Sequence, residues 1–543
     1  MADLSFVAGP CDTPLLDQTI GAALRDAAGR FGTADAIVSL HENRKLSYVD
    51  LDRAADRAAK ALLACGVVAG DRVAIWSANR IDWLVAHHGA VRIGAIVVTV
   101  NPAYRSEEVH HLLDDAGVAV LLAAPGFRAF SYFDAIRDVR SRLPLLREVI
   151  VWADAAPAGC LGWERFIDQG AYVTDVQLAT AIERVTSDMP CSLQYTSGTT
   201  GRPKGALLSH HSILNNGAFT GQRQEFSVDD RICLPVPFFH CFGLVVGGLA
   251  AIVHGCALIL PGESFDPVAA LKAVERERCT AIYGVPMMFI AMLAQLDQNS
   301  FDLSTLRTGV IGAAPCPLEM MTQAITRMNL RELTVAYGMT ETSPLSFQSL
   351  PADDAELRCT TAGAIHPHVA CKIVDPVTGA TVPRGEVGEV CVRGYSVMLG
   401  YWRNPEATAQ AIDFGGWMHS GDLGTMREDG YVTITGRIKD TIIRGGENIY
   451  PREIEEFLIR LPGVEEVYVF GIPDPTYGEE VAAWVRPALG HAVDAETIRE
   501  QCRGHIASYK IPRLVRIVTA FPVTASGKAQ KFRMREIEIA GQS

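Results

Sequence analysis

Short β-rich runs alternate with helical patterns twice along this chain, and no other feature restricts its fold so closely. The runs "RVAIWS" (72–77), "GAIVVTVN" (94–101) and "VAVLLAA" (118–124) are separated by helix-forming stretches such as "SEEVHHLLDDAG" (106–117). Strands joined through helices lie parallel, so this rhythm predicts βαβ units and a parallel sheet. It returns in "CALILP" (256–261), a helix ending near Arg278, "TAIYGVP" (280–286), a further helix and "RTGVIGAAP" (307–315). A second α/β layer is therefore expected. At 543 residues the chain exceeds the size at which one core keeps growing, so two or more domains are expected.

The texture then changes. From about Thr361 to Gly400, "HVACKIVDPVTGATVPRGEVGEVCVRG" alternates short strands with turn residues, which predicts a small β-rich subdomain. After "GRIKD" (436–440) comes a helix from Arg452 to Leu461, strands near Val464 to Ile472 and Glu480 to Arg486, and a helix around Ala495 to Ile506. The expected architecture is α/β. A large N-terminal domain, residues 1–438, holds two α/β subdomains plus the β-rich one, and a small α+β C-terminal domain, residues 439–543, follows.

The net charge of -13 argues against a broad nucleic-acid surface but leaves room for local basic pockets. The 13 cysteines are odd in number and form neither a CxxC pair nor a zinc-spaced cluster, so they read as reduced thiols of a cytoplasmic enzyme. The start, "MADLSFVAGPCDTPLLDQ", has no basic leader before an apolar core, and no secretory signal is expected. Residues 232–262 hold no Asp, Glu, Lys or Arg and are long enough to span a bilayer. His240, His254 and five glycines interrupt them, which predicts a buried helix plus strand and no transmembrane segment.

One loop invites chemistry. In "YTSGTTGRPKG" (195–205) a strand ending at Tyr195 runs into small hydroxyl residues and glycines. Their unpaired backbone N–H groups can surround phosphate oxygens, with Lys204 as counter-charge. A simple surface connector is the competing reading. A Walker A loop starting at Gly198 would need glycine where the chain has Pro203.

With this loop stand, in order, "YGMTET" (337–342), "SGDLG" (420–424), "GRIKD" (436–440), "GGENIYPREIE" (445–455) and "PVTASGKAQK" (522–531). The set resembles the adenylate-forming superfamily of acyl-CoA synthetases, of the medium- or long-chain type, from about Ala22 to Arg535. The resemblance implies a two-step reaction: a fatty acid carboxylate attacks the α-phosphate of MgATP to give acyl-AMP and pyrophosphate, and the coenzyme A thiol then displaces AMP. It also implies that the C-terminal domain is mobile and turns about Lys439.

Carried over position by position, the resemblance puts Thr196, Ser197, Gly198, Thr199, Thr200, Gly201 and Lys204 around the departing phosphates. Gly312, Ala313 and Ala314 in "GAAPCP" leave room for the flat adenine, with Tyr337 against it and Gly338 beside it. Thr340 would bond the α-phosphate and Glu341 would hold Mg²⁺, a hard cation that takes carboxylate and phosphate oxygens. Asp422 would accept the ribose hydroxyls, and Arg437 would hold the ribose or α-phosphate. Lys528 in "TASGKAQK" would neutralise the first transition state, whereas Lys531, Arg533 and Arg535 read as a solvated basic tail. Gly363, Gly446 and Glu447 would line the coenzyme A passage.

The acyl pocket is assigned to "PVPFFHCFGLVVGG" (235–248), with His240 beside the carboxylate and Phe239, Phe242, Val245 and Val246 along the chain. Ordinary core packing competes with that reading, since apolar residues at helical spacing are usually core. Two relatives of the reaction stay open: transfer of the acyl group to a carrier protein, and a luciferase-like oxygenation. A non-catalytic nucleotide scaffold is a third, from another class. Peripheral membrane contact and a homodimer are also left open.

Overall fold

Hydrophobic runs bounded by turn residues become the inner strands of two sheets. The computed structural model describes residues 3–153, 155–196, 203–444, 447–523 and 529–542, without the side chains of Asn448 and Gln542. It divides into a larger compact unit, Val7–Cys371 with Val392–Met418, and a smaller one, Met1–Phe6 with Lys372–Cys391 and His419–Ser543. Residues 372–391 and 419–438, read from sequence with the N-terminal domain, thus cluster with the C-terminal residues.

In the larger unit one sheet runs Leu161–Gly162, Glu148–Val151, Val120–Ala123, Arg72–Trp76, Ile96–Val100, Pro190–Thr196, Lys204–Ser209 and Gly400–Tyr401. The first six strands are parallel, Lys204–Ser209 pairs antiparallel with the sixth, and Gly400–Tyr401 pairs antiparallel with Lys204–Ser209. Every residue of Ile96–Val100 is buried, which is why that strand reads as a continuous apolar run. A second sheet runs Ala364–Ile365, Leu345–Gln348, Glu332–Gly338, Thr308–Ile311, Ala281–Gly284, Arg231–Cys233, Ala257–Leu260, Asp35–Ser39 and Arg44–Ser47. Its six central strands are parallel. Both expected α/β layers are present. Ala364–Ile365 joins this second sheet, so the β-rich region starts later than its turn residues suggest.

Helix Tyr48–Ala64 starts where the Ser47 hydroxyl accepts the Asp50 N–H, and it turns a row of buried alanines inward. Arg92, 2% exposed, ends the helix Ile81–Arg92 and is tied to Asp52 and Asp56. Breaking such a buried pair leaves an uncompensated charge.

The same core buries His87, His88 and His210. Burial pushes the His88 imidazole down to about 3, helped by the nearby Arg92 charge, and burial alone pushes His210 to about 4. Both stay neutral in the fold, whereas in the unfolded chain they protonate at about pH 6.5. Their contribution is therefore full above about pH 6.5 and is lost as pH falls toward the folded values, because only the unfolded chain takes up the protons. Urea midpoints taken from about pH 7 to about pH 5 should fall, and less steeply in His210→Gln. An unchanged slope would remove His210 from this account.

The charge-free stretch resolves into strand Arg231–Cys233, a π-helix Phe242–Leu249, a helix Ala250–His254 and strand Ala257–Leu260. That is the expected buried helix plus strand. No helix among the described residues is long and apolar enough to cross a membrane.

The smaller unit carries most of a five-stranded sheet in the order Phe6–Ala8, Val369–Val374, Gly388–Gly394, Met418–Met426 and Val432–Arg437. It also holds a sheet built on the hairpin Val464–Asp474 and Gly478–Pro487. One face of that hairpin packs Val467, Val469, Val481 and Val485 under helices Pro451–Leu458 and Ala495–Cys502. The other packs Phe470, Ile472 and Trp484 against Met534. The helix expected to reach Ile506 stops at Cys502, because Arg503 turns extended and Gly504 takes φ +79°. Two of the three C-terminal basic residues are not solvated: Lys531 pairs with Glu455 at 2.6 Å and Arg535 with Glu479 at 2.9 Å, whereas Arg533 is exposed as expected.

Candidate active site

Three segments singled out from sequence lie at the carboxyl ends of parallel strands in the larger unit. Thr196 closes Pro190–Thr196, Gly312 to Ala314 follow Thr308–Ile311, and Tyr337 and Gly338 close Glu332–Gly338. Open α/β sheets meet their ligands at these ends. Thr196 and Lys204 are register partners on antiparallel neighbours, so the segment between them joins adjacent strands. Ser197, Gly198, Thr199, Thr200 and Gly201 lie outside the described residues, as do Gly446 and Lys528.

The "YGMTE" segment leaves its strand through a close approach: a Cβ on Gly338 would lie 1.9 Å from the Pro344 carbonyl oxygen. The short helical turn Thr340–Thr342 follows and buries Glu341 to 6% exposure. The Tyr401 hydroxyl donates to Glu341 Oε1 at 2.9 Å, and the Thr196 hydroxyl reaches the same oxygen at 3.4 Å. Burial, and after it the Glu341 carboxylate, pushes the Tyr401 phenol well up, so it stays a donor. Lys204 Nζ stands 5.1 Å from the Tyr401 ring centre. Thr196, Lys204, Glu341 and Tyr401 thus make one polar cluster. Ala313 takes φ +70° in the loop after its strand, a left-handed conformation that costs a non-glycine residue roughly 1–2 kcal/mol.

His240 is brought to the same place. Its Nδ1 accepts the Phe242 N–H at 3.1 Å, which puts the ring proton on Nε2. Cys241 Sγ lies 3.7 Å from both His240 Nδ1 and Thr340 Oγ1. Burial pushes this thiol up to about 12, so it serves as packing. Phe242, Val245 and Val246 are buried on the π-helix and Phe239 is half-buried before it; the Phe242 ring stacks on Tyr283 at 6.1 Å. π-Helical turns are rare and are frequently found at functional sites. Gly363 takes φ +91° between the helix Ala355–Thr360 and strand Ala364–Ile365.

Within the smaller unit, Asp422 and Arg437 are register partners on adjacent strands, and Arg437 Nε meets Asp422 Oδ1 at 2.8 Å. Asp422 is 6% exposed, and its N–H donates to the Ser420 hydroxyl at 3.0 Å. Lys439 sits in the helical turn Ile438–Asp440, its ammonium held below the usual lysine value by desolvation first and Arg437 second. Glu447 opens strand Glu447–Ile449 and is exposed.

Tyr401 was not foreseen. It follows the β-rich stretch in "GYWRN", and a lone tyrosine on a short edge strand carries no motif; only the aromatic pair Tyr401–Trp402 after Gly400 hinted at it.

A family model described as AMP-binding enzyme matches residues 24–402, and one described as AMP-binding enzyme C-terminal domain matches residues 453–528. The chain belongs to the AMP-binding enzyme family, the adenylate-forming class that its motif order resembles. It is 43% identical to the putative acyl-CoA synthetase YngI of Bacillus subtilis (strain 168) over 538 residues, 97% of this chain and 98% of that one. It is 39% identical over 547 residues to the mitochondrial medium-chain acyl-CoA ligase ACSF2 of Danio rerio, 98% of this chain and 90% of that one. Among solved structures, ATP-bound MatB from Rhodopseudomonas palustris matches with a TM-score of 0.84 at 30% identity, over 96% of this chain and 99% of that one.

Proposed function

We infer that this chain is an ATP-dependent fatty acid:CoA ligase of the AMP-forming kind. A carboxylate attacks the α-phosphate of ATP, pyrophosphate leaves, and the coenzyme A thiol then displaces AMP from the acyl group. The observation that carries the reading is the cluster of Thr196, Lys204, Glu341 and Tyr401 at parallel-strand ends, in a chain that matches acyl-CoA ligases over nearly its full length.

Lys204 and the loop that it ends take the departing phosphates, Thr340 bonds the α-phosphate, and Tyr337 with Gly312, Ala313 and Ala314 borders the adenine. Asp422 and Arg437 serve the ribose and α-phosphate. Glu341 and Thr196 present only oxygen donors, 3.4 Å apart, which suits Mg²⁺; bound there, the ion would neutralise phosphate charge. Tyr401 holds the Glu341 carboxylate in place by its hydroxyl.

His240 faces the substrate carboxylate, and Phe239, Phe242, Val245 and Val246 wall the acyl chain. A charge-free wall favours acids of medium or greater length, since each buried methylene is worth about 0.8 kcal/mol. Support comes also from the Danio rerio relative, which is named for medium-chain acids. None of the 13 cysteines forms a disulfide, which supports a reducing compartment such as the cytoplasm.

The deciding experiment follows acid-dependent ATP–pyrophosphate exchange and acyl-CoA formation with straight-chain acids from acetate to palmitate. Acetate or an amino acid as best substrate overturns the acyl assignment. Exchange without thioester formation in the presence of coenzyme A overturns the ligase.

For the second step, Gly363, Gly446 and Glu447 border the coenzyme A passage. Residues 439–543 serve both half-reactions by turning about Lys439, so that Lys528 acts first and the loop holding Glu447 second. Proline at this position fixes φ near about -65°. Lys439→Pro should therefore keep pyrophosphate exchange while losing most thioester formation from supplied acyl-AMP. Wild-type thioester formation in that variant would place the pivot elsewhere.

A further inference from the structure

We propose that Glu389, Cys391 and His419 form a binding site for a divalent, borderline-soft cation of the zinc class. All three residues belong to the smaller unit, on the adjacent strands Gly388–Gly394 and Met418–Met426. Their ligand atoms lie within 4.8 Å of one another. Cys391 is fully buried and Glu389 is 8% exposed, while 30% of the His419 side chain is exposed and opens the group to solvent.

Two different atoms converge on one nitrogen. His419 Nδ1 is 2.7 Å from Glu389 Oε2 and 3.5 Å from Cys391 Sγ. A hydrogen-bonded Glu–His pair accounts for the first distance but gives no reason for a thiol facing the same nitrogen. A shared ion accounts for both. Tetrahedral zinc with Zn–S of about 2.3 Å and Zn–N of about 2.0 Å separates sulfur from nitrogen by roughly 3.5 Å. The Oε2–Nδ1 pair would open to roughly 3.3 Å as the bridging proton gives way to the ion. On binding, the Cys391 thiol loses its proton to solvent and the neutral His419 ring carries its proton on Nε2. Three protein ligands of mixed S, N and O character with an open fourth position fit zinc better than magnesium.

The other oxygen of the same carboxylate, Glu389 Oε1, accepts the Gly421 N–H at 3.0 Å. One carboxylate would then span the ion and the left-handed Gly421 (φ +70°) in the strand that carries Asp422, so that occupancy stiffens this stretch.

The test uses the full chain with the exposed Cys11 replaced, Cys11→Ser, titrated with Zn²⁺ against a chromophoric chelator and with Co²⁺ alone. One ion per chain is expected, with a thiolate-to-cobalt charge-transfer band and slower amide exchange over residues 419–423 in the zinc form. Cys391→Ala should weaken binding by at least about 100-fold and abolish the band. His419→Gln keeps an N–H donor for Glu389 but offers no imidazole lone pair; it should weaken binding comparably, and it decides the matter if Cys391→Ala does not fold. Absence of a stoichiometric ion in the Cys11→Ser chain, or affinity unchanged in His419→Gln, overturns the site and leaves Glu389 as a brace for the Gly421 backbone.

Discussion

Glu341→Gln will lose about 10²- to 10³-fold in acid-dependent ATP–pyrophosphate exchange, with its fold intact. Glutamine has the same size and keeps a carbonyl oxygen where Oε1 accepts from Tyr401 and faces Thr196, at 2.9 and 3.4 Å. The hydrogen-bonded frame therefore survives, and what disappears is one negative charge. If that charge holds Mg²⁺ against the phosphates, the loss falls on the adenylation step and the variant demands more magnesium than the wild type. Exchange rates over a magnesium titration, beside circular dichroism melts, read both quantities. A variant with the wild-type magnesium dependence would show that Glu341 is a frame residue only.

Lys528→Ala is expected to lower adenylation by at least about 10²-fold while thioester formation from supplied acyl-AMP stays near the wild-type rate. Its ammonium is proposed to meet charge that builds only when the carboxylate attacks. Two neighbouring cations cannot stand in for it without giving up partners: Lys531 is held by Glu455 and Arg535 by Glu479. Lys531→Ala is the matching control and should leave adenylation largely in place. Equal losses of both half-reactions in Lys528→Ala would remove it from the first transition state.

The parallel layers were readable because a strand buried on both faces, such as Ile96–Val100, has to be apolar throughout, and the helical period between such runs leaves few other folds. The site motifs were readable for a related reason. Short motifs at the ends of parallel strands, as in Gly312 to Ala314 and Tyr337–Gly338, are local in sequence and local in space. Contacts made across the chain left no such trace. Tyr401 meets Glu341 from 60 positions away, on a two-residue edge strand whose pairing depends on the hairpin beside it. The Arg437–Asp422 pair is set by strand register, which neither residue's own motif reveals. The apolar period after Ala495 continues to Ile506, but the backbone leaves the helix at the extended Arg503 and the left-handed Gly504, which no periodicity shows.

If Phe242, Val245 and Val246 wall the acyl chain as proposed, the π-helix Phe242–Leu249 sets a rule for how that wall can change over generations. A π turn bonds residues i and i+5, so it holds one residue more than an α turn of the same span. Removing a single residue from this stretch would let it relax to α geometry, with hardly any loss of hydrogen bonds. Every side chain beyond the deletion would then swing by about 100° around the helix. Val245 and Val246, now buried, would leave their positions together, and other side chains would take over the wall. On that proposal, length changes in this segment are the abrupt route to a new acid, and side-chain substitutions at Phe242, Val245 and Val246 the gradual one.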